Sequence, residues 1–269
     1  MLITKWVLID KSNGAKCTNG ETISYDALNL IAQAVEAQLN EEFADNYGGQ
    51  YNVRVSDGTD IQTDEYVYTC VATFQDIPGA SAYHDEDENG RPRGFCAVTT
   101  CASLIGPNGV AQDCSHELLE AGGNPFCNKF DDDYSGKMHC HEVGDPVEVQ
   151  SYPKMVGENA VYVSNFVLES WFNPKGVAPF DYMCEQGMAL GDGNQPPQGP
   201  MQIAPSYNGQ GNYQIVEDAN DNSETQQFGR LRILGHPRKA LHTNSRLGKI
   251  ARKKAAYAER LKKEQAAIG

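Results

Sequence analysis

No run of about 18 apolar residues occurs in the 269-residue chain, so a membrane-spanning helix of ordinary length is not expected. No C-x-x-C pair occurs either, despite eight cysteines, which argues against a zinc knuckle or a thioredoxin-type redox site. The opening stretch "MLITKWVLIDKSNG" lacks the long apolar run and small-residue cleavage site of a secretory signal. The expectation is a protein that is not secreted by a signal peptide, with its cysteines as thiols or metal ligands in a reducing compartment. Internal repeats are missing as well. Cys101, Cys114, Cys127 and Cys140 recur every thirteen residues, but the segments between them are unalike, so the spacing reads as coincidence.

What is present suits a packed domain. Hydrophobic residues make up 40% of the chain and charged residues 22%, which favours a core over disorder. The net charge of -14 is unevenly spread. From Arg230 onward there are 12 Lys and Arg against 2 Asp and Glu, leaving 10 basic and 34 acidic side chains before it. The body is thus at -24 and the tail at +10, an asymmetry that points to a basic arm with a partner.

"KWVLID" reads as a first strand. "SYDALNLIAQAVEAQLNEEF" sets Leu28, Ile31, Ala32, Val35 and Leu39 at helical spacing, with Ser24 as the cap. "YNVRVSDG" and "EYVYTCVATF" read as strands, "YHDEDENGRPRG" as an acidic loop, and "FCAVTTC" as an edge strand. A helix around "CSHELLEAGG" then ends at Gly122 and Gly123. The stretch "NPFCNKFDDDYSGKMHCHEVGDPVEVQSYP" looks irregular, and "AVYVSNFVLESWF" reads as a strand running into a short helix. Residues 173–228 read as long loops with occasional short strands, and the tail returns to helix formers. The expected fold class is α+β, divided into a domain over 1–185, a loop-rich extension over 186–228 and a basic tail over 229–269.

The helix carries the chemistry. Two histidines one turn apart beside a glutamate, H-E-x-x-H, mark a zinc protease; here the second histidine is replaced by Glu120. His116 and Glu120, four residues apart, share a helical face and could hold one metal ion. Glu117 points to the neighbouring side, where it could take a proton from water as a general base. A catalytic zinc needs a third protein ligand. "HCHEVGDPVE" offers His139, His141, Glu142, Asp145 and Glu148, and "YHDEDE" offers His84 and Asp85. The extended metzincin pattern is incomplete, because Gly123 fits its glycine but Phe126 stands at its last ligand position. The plain alternative is a helix with a polar face, capped by Asp113 or Ser115. "DDDYSG" lacks the spaced ligands and closing glutamate of a calcium loop.

The element order, strand, helix, strand, strand, edge strand and metal-type helix, is that of a zincin catalytic domain by analogy of fold. "AYHDEDENGRPRGFCAV", "CSHELLEAGGNPF", "CHEVGDPVE" and "VYVSNFVLESWFNP", in that order, resemble a family of zincin-like, metallopeptidase-type proteins encoded by phages and bacteria. The resemblance spans roughly residues 65–185 and implies a zincin-like domain binding Zn2+. It further implies His116 and Glu120 as ligands, Glu117 as the catalytic base, and His84, Glu142 and Asp145 as further site residues, with the third ligand left open. Two positions depart from the family pattern: Asn124 stands where an Asp precedes Pro125, and Glu169 where a Pro is common.

The tail residues Arg238, Lys239, Arg246, Lys249, Arg252, Lys253 and Lys254 are the expected partner-binding set. They could contact nucleic acid through phosphates, an acidic protein surface including another copy's body, or solvent alone. Base reading is not expected without a known DNA-binding motif, and the lack of Trp or Phe in the tail disfavours a membrane surface. Together with the resemblance, this gives a first functional expectation: a virion-associated structural protein of a phage. It would be made in the host cytoplasm and anchored in the particle by its basic arm to other virion proteins or to copies of itself. The alternative is an active zinc-dependent endopeptidase.

Overall fold

The computed structural model describes residues 3–74, 80–191, 194–205, 212–218 and 223–227; the seven expected tail contacts lie outside them. The architecture is mixed, with helices and strands in comparable amount. Strand β1 (Thr4–Lys11) carries the buried run Trp6, Val7, Leu8 and Ile9, as a central strand requires. Helix α1 (Tyr25–Gln38) follows, and Ser24 caps it by accepting a hydrogen bond from the Ala27 N–H at 3.1 Å. A π turn over Leu39–Phe43 leads into the short α2 (Ala44–Tyr47).

Strands β2 (Tyr51–Ser56), β3 (Glu65–Val71), β4 (Ala82–Glu86) and β5 (Pro92–Ala97) complete a sheet in the order β2-β1-β3-β5-β4. Its first four strands in space run parallel, and β4 returns antiparallel along the edge beside β5. Two expectations are corrected here. "YHDEDENGRPRG" is not a loop but a hairpin whose first arm is the edge strand. "FCAVTTC" is not the edge; β5 ends at Ala97, and Val98–Thr100 form a single 3-10 turn. One of the charges that suggested a loop is answered across the β4–β5 pair, where Arg93 grips Asp85 through two nitrogens at 2.6 and 3.2 Å. Gly94 is also set by space: a Cβ there would lie 2.5 Å from the Tyr68 ring, so only glycine lets the buried tyrosine cover the strand.

Helix α3 (Val110–Gly123) packs on β4 and β5 and touches α1. Its N-cap is Gly109, not Asp113 or Ser115. Ser115 lies inside the helix and cross-links the fold: its hydroxyl donates to Gln38 Oε1 at 2.6 Å and accepts from the Ser164 N–H at 2.9 Å. Gln38 in turn donates to Tyr152 Oη at 2.9 Å and to the Ser164 carbonyl at 2.7 Å. Leaving such a buried group without its partner costs about 1–3 kcal/mol, so this network fixes where α3 sits. Leu118 and Leu119 are fully buried, and truncating either to Ala costs about 2–5 kcal/mol in a comparable core.

Beyond α3 the chain is more regular than its sequence suggests. Strands β6 (Phe130–Asp132) and β7 (Lys137–Cys140) form a hairpin extended by β10 (Tyr213–Asp218) and β11 (Ser223–Gln227). Its turn is held by Asp133, which accepts from the Ser135 hydroxyl and from the N–H groups of Ser135 and Lys137; the acidic "DDDYSG" is turn chemistry. Strands β8 (Ser151–Val156) and β9 (Asn159–Ser164) pair antiparallel, β9 lies on α3, and the short helices α4 (Glu169–Phe172) and α5 (Tyr182–Glu185) follow. Met201 and Ala204 join the same apolar core as Trp6 and Leu118. No helix among the described residues is long and apolar enough to cross a membrane. All eight cysteines are free thiols.

Candidate metal centre

Helix α3 brings His116, Glu117 and Glu120 onto the side facing β4 and the segment after β7. The polar side of this helix is turned inward, since these side chains are buried, with Glu120 at 0% exposure. Burying acids without compensation is costly, so their grouping calls for a reason. His84, on the edge strand β4, enters from one side, fully buried. Glu142 and Asp145 enter from the segment after β7, where a 3-10 turn over Asp145–Val147 sits on the core through Val143 and Val147. The Val167 N–H donates to the Val143 carbonyl at 2.8 Å and the Ala204 N–H to the Pro146 carbonyl at 3.0 Å, pinning this segment.

All six expected site residues converge. His116 Nε2 lies 3.3 Å from Glu120 Oε1 and 3.4 Å from Asp145 Oδ1. His84 Nδ1 lies 2.9 Å from Glu117 Oε2 and 3.4 Å from Glu120 Oε2, and its Nε2 lies 3.9 Å from Glu142 Oε2. Three groups have donor atoms within 4.8 Å of one another: His116 with Glu120 and Asp145, His84 with Glu117 and Glu120, and His84 with Cys127 and Glu142. Such clusters of buried His, Glu, Asp and Cys could hold a metal ion. No family model, curated protein or solved structure matches the chain.

The electrostatics follow from the crowding. Burial opposes charge on His116, but Glu120, Asp145 and Glu117 outweigh it and hold its pKa well above the usual histidine value. Burial raises the carboxyl of Asp113, at the start of α3, to about 6, and that of Glu148 to about 7. The centre is closed to solvent to a similar degree throughout, with His116 at 7%, Cys127 at 5% and Glu117 at 4% the most exposed of its members.

Other candidates are engaged elsewhere. Asp85 pairs with Arg93. His139 bonds Gln214 and Asp133, while His141 lies between Asp131 and Lys129 and stacks on Phe172 with centroids 3.8 Å apart. Two contributors were missed in the sequence. Cys127 belongs to one donor group, although its thirteen-residue spacing looked accidental. Gly144 leaves room for a ligand: a Cβ there would lie 2.5 Å from His116 Nδ1. The departure at Asn124 also acquires a role. Its amide donates to Glu142 Oε1 at 3.3 Å, which an Asp carboxylate could not do, and its Oδ1 accepts from the N–H groups of Asn128 and Lys129, both at 2.9 Å.

Proposed function

We propose that this chain is a zinc-dependent hydrolase of the peptidase type on a zincin-like scaffold, with His116, Glu120 and Asp145 as metal ligands and Glu117 as general base. The observation that carries this reading is the approach of two carboxylates, from different elements, to one nitrogen of a buried histidine. Zinc bonds of about 2.0–2.2 Å in tetrahedral geometry set neighbouring ligands roughly 3.3–3.5 Å apart. The observed 3.3 and 3.4 Å match that spacing, and imidazole with carboxylate oxygens is a suitable donor set. Three protein donors leave a position open for chemistry, as in catalytic sites. The four parallel strands, the antiparallel edge strand and the following metal-type helix support the scaffold reading by analogy of fold.

Zinc held there would supply Lewis-acid polarisation of a scissile carbonyl. The protein's own part is narrower. Glu117 takes the proton of the attacking water, and His84 holds its carboxylate in place through the 2.9 Å contact. A Glu117→Gln variant tests this reading. It is expected to keep its bound metal and to lose about 10²–10⁴-fold in cleavage of a fluorogenic peptide library. Cleavage equal to wild type with metal retained would remove Glu117 from the mechanism.

The virion-associated structural role is a second reading, favoured by the split between the -24 body and the +10 tail. It is compatible with the first, since a particle protein can carry a peptidase-type domain. Mass spectrometry of purified particles is expected to find the chain at a fixed, repeating copy number; absence from particles would exclude it.

A further inference from the structure

Building on the reading of α3 as a metal helix, we propose that a second ion site lies beside the first, formed by His84 Nε2, the Cys127 thiolate and Glu142, and suited to zinc. The three residues come from β4, from the loop after α3 and from the segment after β7, and are 0%, 5% and 1% exposed. Their donor atoms lie within 4.8 Å of one another. Thiolate, imidazole and carboxylate together form a donor set that suits zinc far better than calcium or magnesium.

Each donor is oriented by something outside the trio. His84 Nδ1 contacts Glu117 Oε2 at 2.9 Å. An ionised carboxylate can only accept, so Nδ1 donates to it, and in the neutral imidazole Nε2 is then the nitrogen that can bind an ion. A histidine whose second nitrogen donates to a carboxylate is the usual arrangement of a metal ligand, because the outer acid fixes the tautomer and the ring. Glu142 is similarly divided. Its Oε1 accepts from Asn124 Nδ2 at 3.3 Å and from Cys140 Sγ at 3.2 Å, and its Oε2 faces His84 Nε2 at 3.9 Å. That gap exceeds a hydrogen bond and is a few tenths of an ångström wider than the spacing of two zinc ligands, so binding an ion would draw the two groups together. Cys127 takes a left-handed backbone with φ of 47°, uncommon for a residue other than glycine, and its N–H is fixed by the Asn124 carbonyl at 3.0 Å. The loop thus accepts local strain while presenting its sulfur to this cluster.

The two sites are distinct but in contact. His84 reaches the second ion through Nε2 and the first group of acids through Nδ1, so an ion on Nε2 fixes the ring that orients the proposed base. Two divalent ions would also bring the positive charge near that of the four carboxylates gathered here.

The test uses the full chain loaded with Zn2+ and, separately, with Co2+. Elemental mass spectrometry is expected to give two ions per wild-type chain, one in Cys127→Ala and one in His116→Ala. The Co2+ form is expected to show a thiolate-to-cobalt charge-transfer band in the near ultraviolet, kept in His116→Ala and absent from Cys127→Ala. Should Cys127→Ala fail to fold, the band in wild type and His116→Ala still decides. One ion per wild-type chain, no thiolate band and no effect of Cys127→Ala would overturn the second site while leaving the first. An ion lost on Cys127→Ala but not on His116→Ala would support the second site and remove the first. No bound ion would remove both.

Discussion

Two pairs of buried histidines in this protein solve the same problem differently. His139 and His141 on and after β7 are buried, and each is answered by its own partners. His141 has Asp131 on one nitrogen, Lys129 on the other and Phe172 against its face. Burial lowers its pKa, with Asp131 opposing, and the neighbouring ammonium repels any cation. His84 and His116 are buried too, but acids from α3 and from the segment after β7 crowd around them, and Glu120 is shared by both. Histidines beside carboxylates therefore do not identify a metal site. The sign of the remaining neighbours and the convergence of several donors on one point are what make the α3 group able to hold an ion.

The strongest test of this contrast is His116→Ala against His141→Ala. Loss of an outer-shell partner typically costs 10–100-fold in metal affinity, so loss of a direct ligand should exceed about 100-fold. His141→Ala should leave ion content unchanged, and equilibrium dialysis with zinc separates the two. Next comes Asn124→Ala, which frees Glu142 from its amide donor and is expected to weaken binding at the His84 group by about 10–100-fold. Gly144→Ala should destabilise the fold by about 1–3 kcal/mol, because the new methyl group meets His116, and should weaken metal binding in the same variant. Urea denaturation with and without zinc measures both effects.

The smallest effect concerns protons in the metal-free protein. His116 has a raised folded pKa, so its contribution to stability is present below the unfolded histidine value and lost as pH rises through the folded one. His141 has a lowered folded pKa, so the neutral form is favoured. Its contribution is present above the unfolded value and lost as pH falls through the folded one. Ring resonances followed by NMR should show His141 losing its proton first as pH rises, with His116 still charged. The reverse order would break the contrast.

Much of this was legible in the sequence. β1, α1 and the i, i+4 placement of His116 and Glu120 follow from periodicity, and Ser24 caps where its residue type predicts. The edge strand β4 was hidden because "YHDEDE" has the composition of a solvated loop. Only pairing with β5 and the grip of Arg93 on Asp85 make it a strand. Which acid meets which histidine was not legible either. Glu142 and Asp145 lie three residues apart, yet one faces His84 and the other His116, a separation created by the turn at Asp145. Cys127 and Gly144 matter through placement and space, which neither the thirteen-residue spacing of Cys127 nor the residue type of Gly144 discloses.

The central claim is that α3 is a metal helix and β7 is not. Elemental analysis of protein purified without chelators, for wild type, His116→Ala and His141→Ala in parallel, tests it most directly. Bound zinc in wild type and His141→Ala, reduced in His116→Ala, is the expected result. Equal zinc in all three proteins, or none in any, would contradict it.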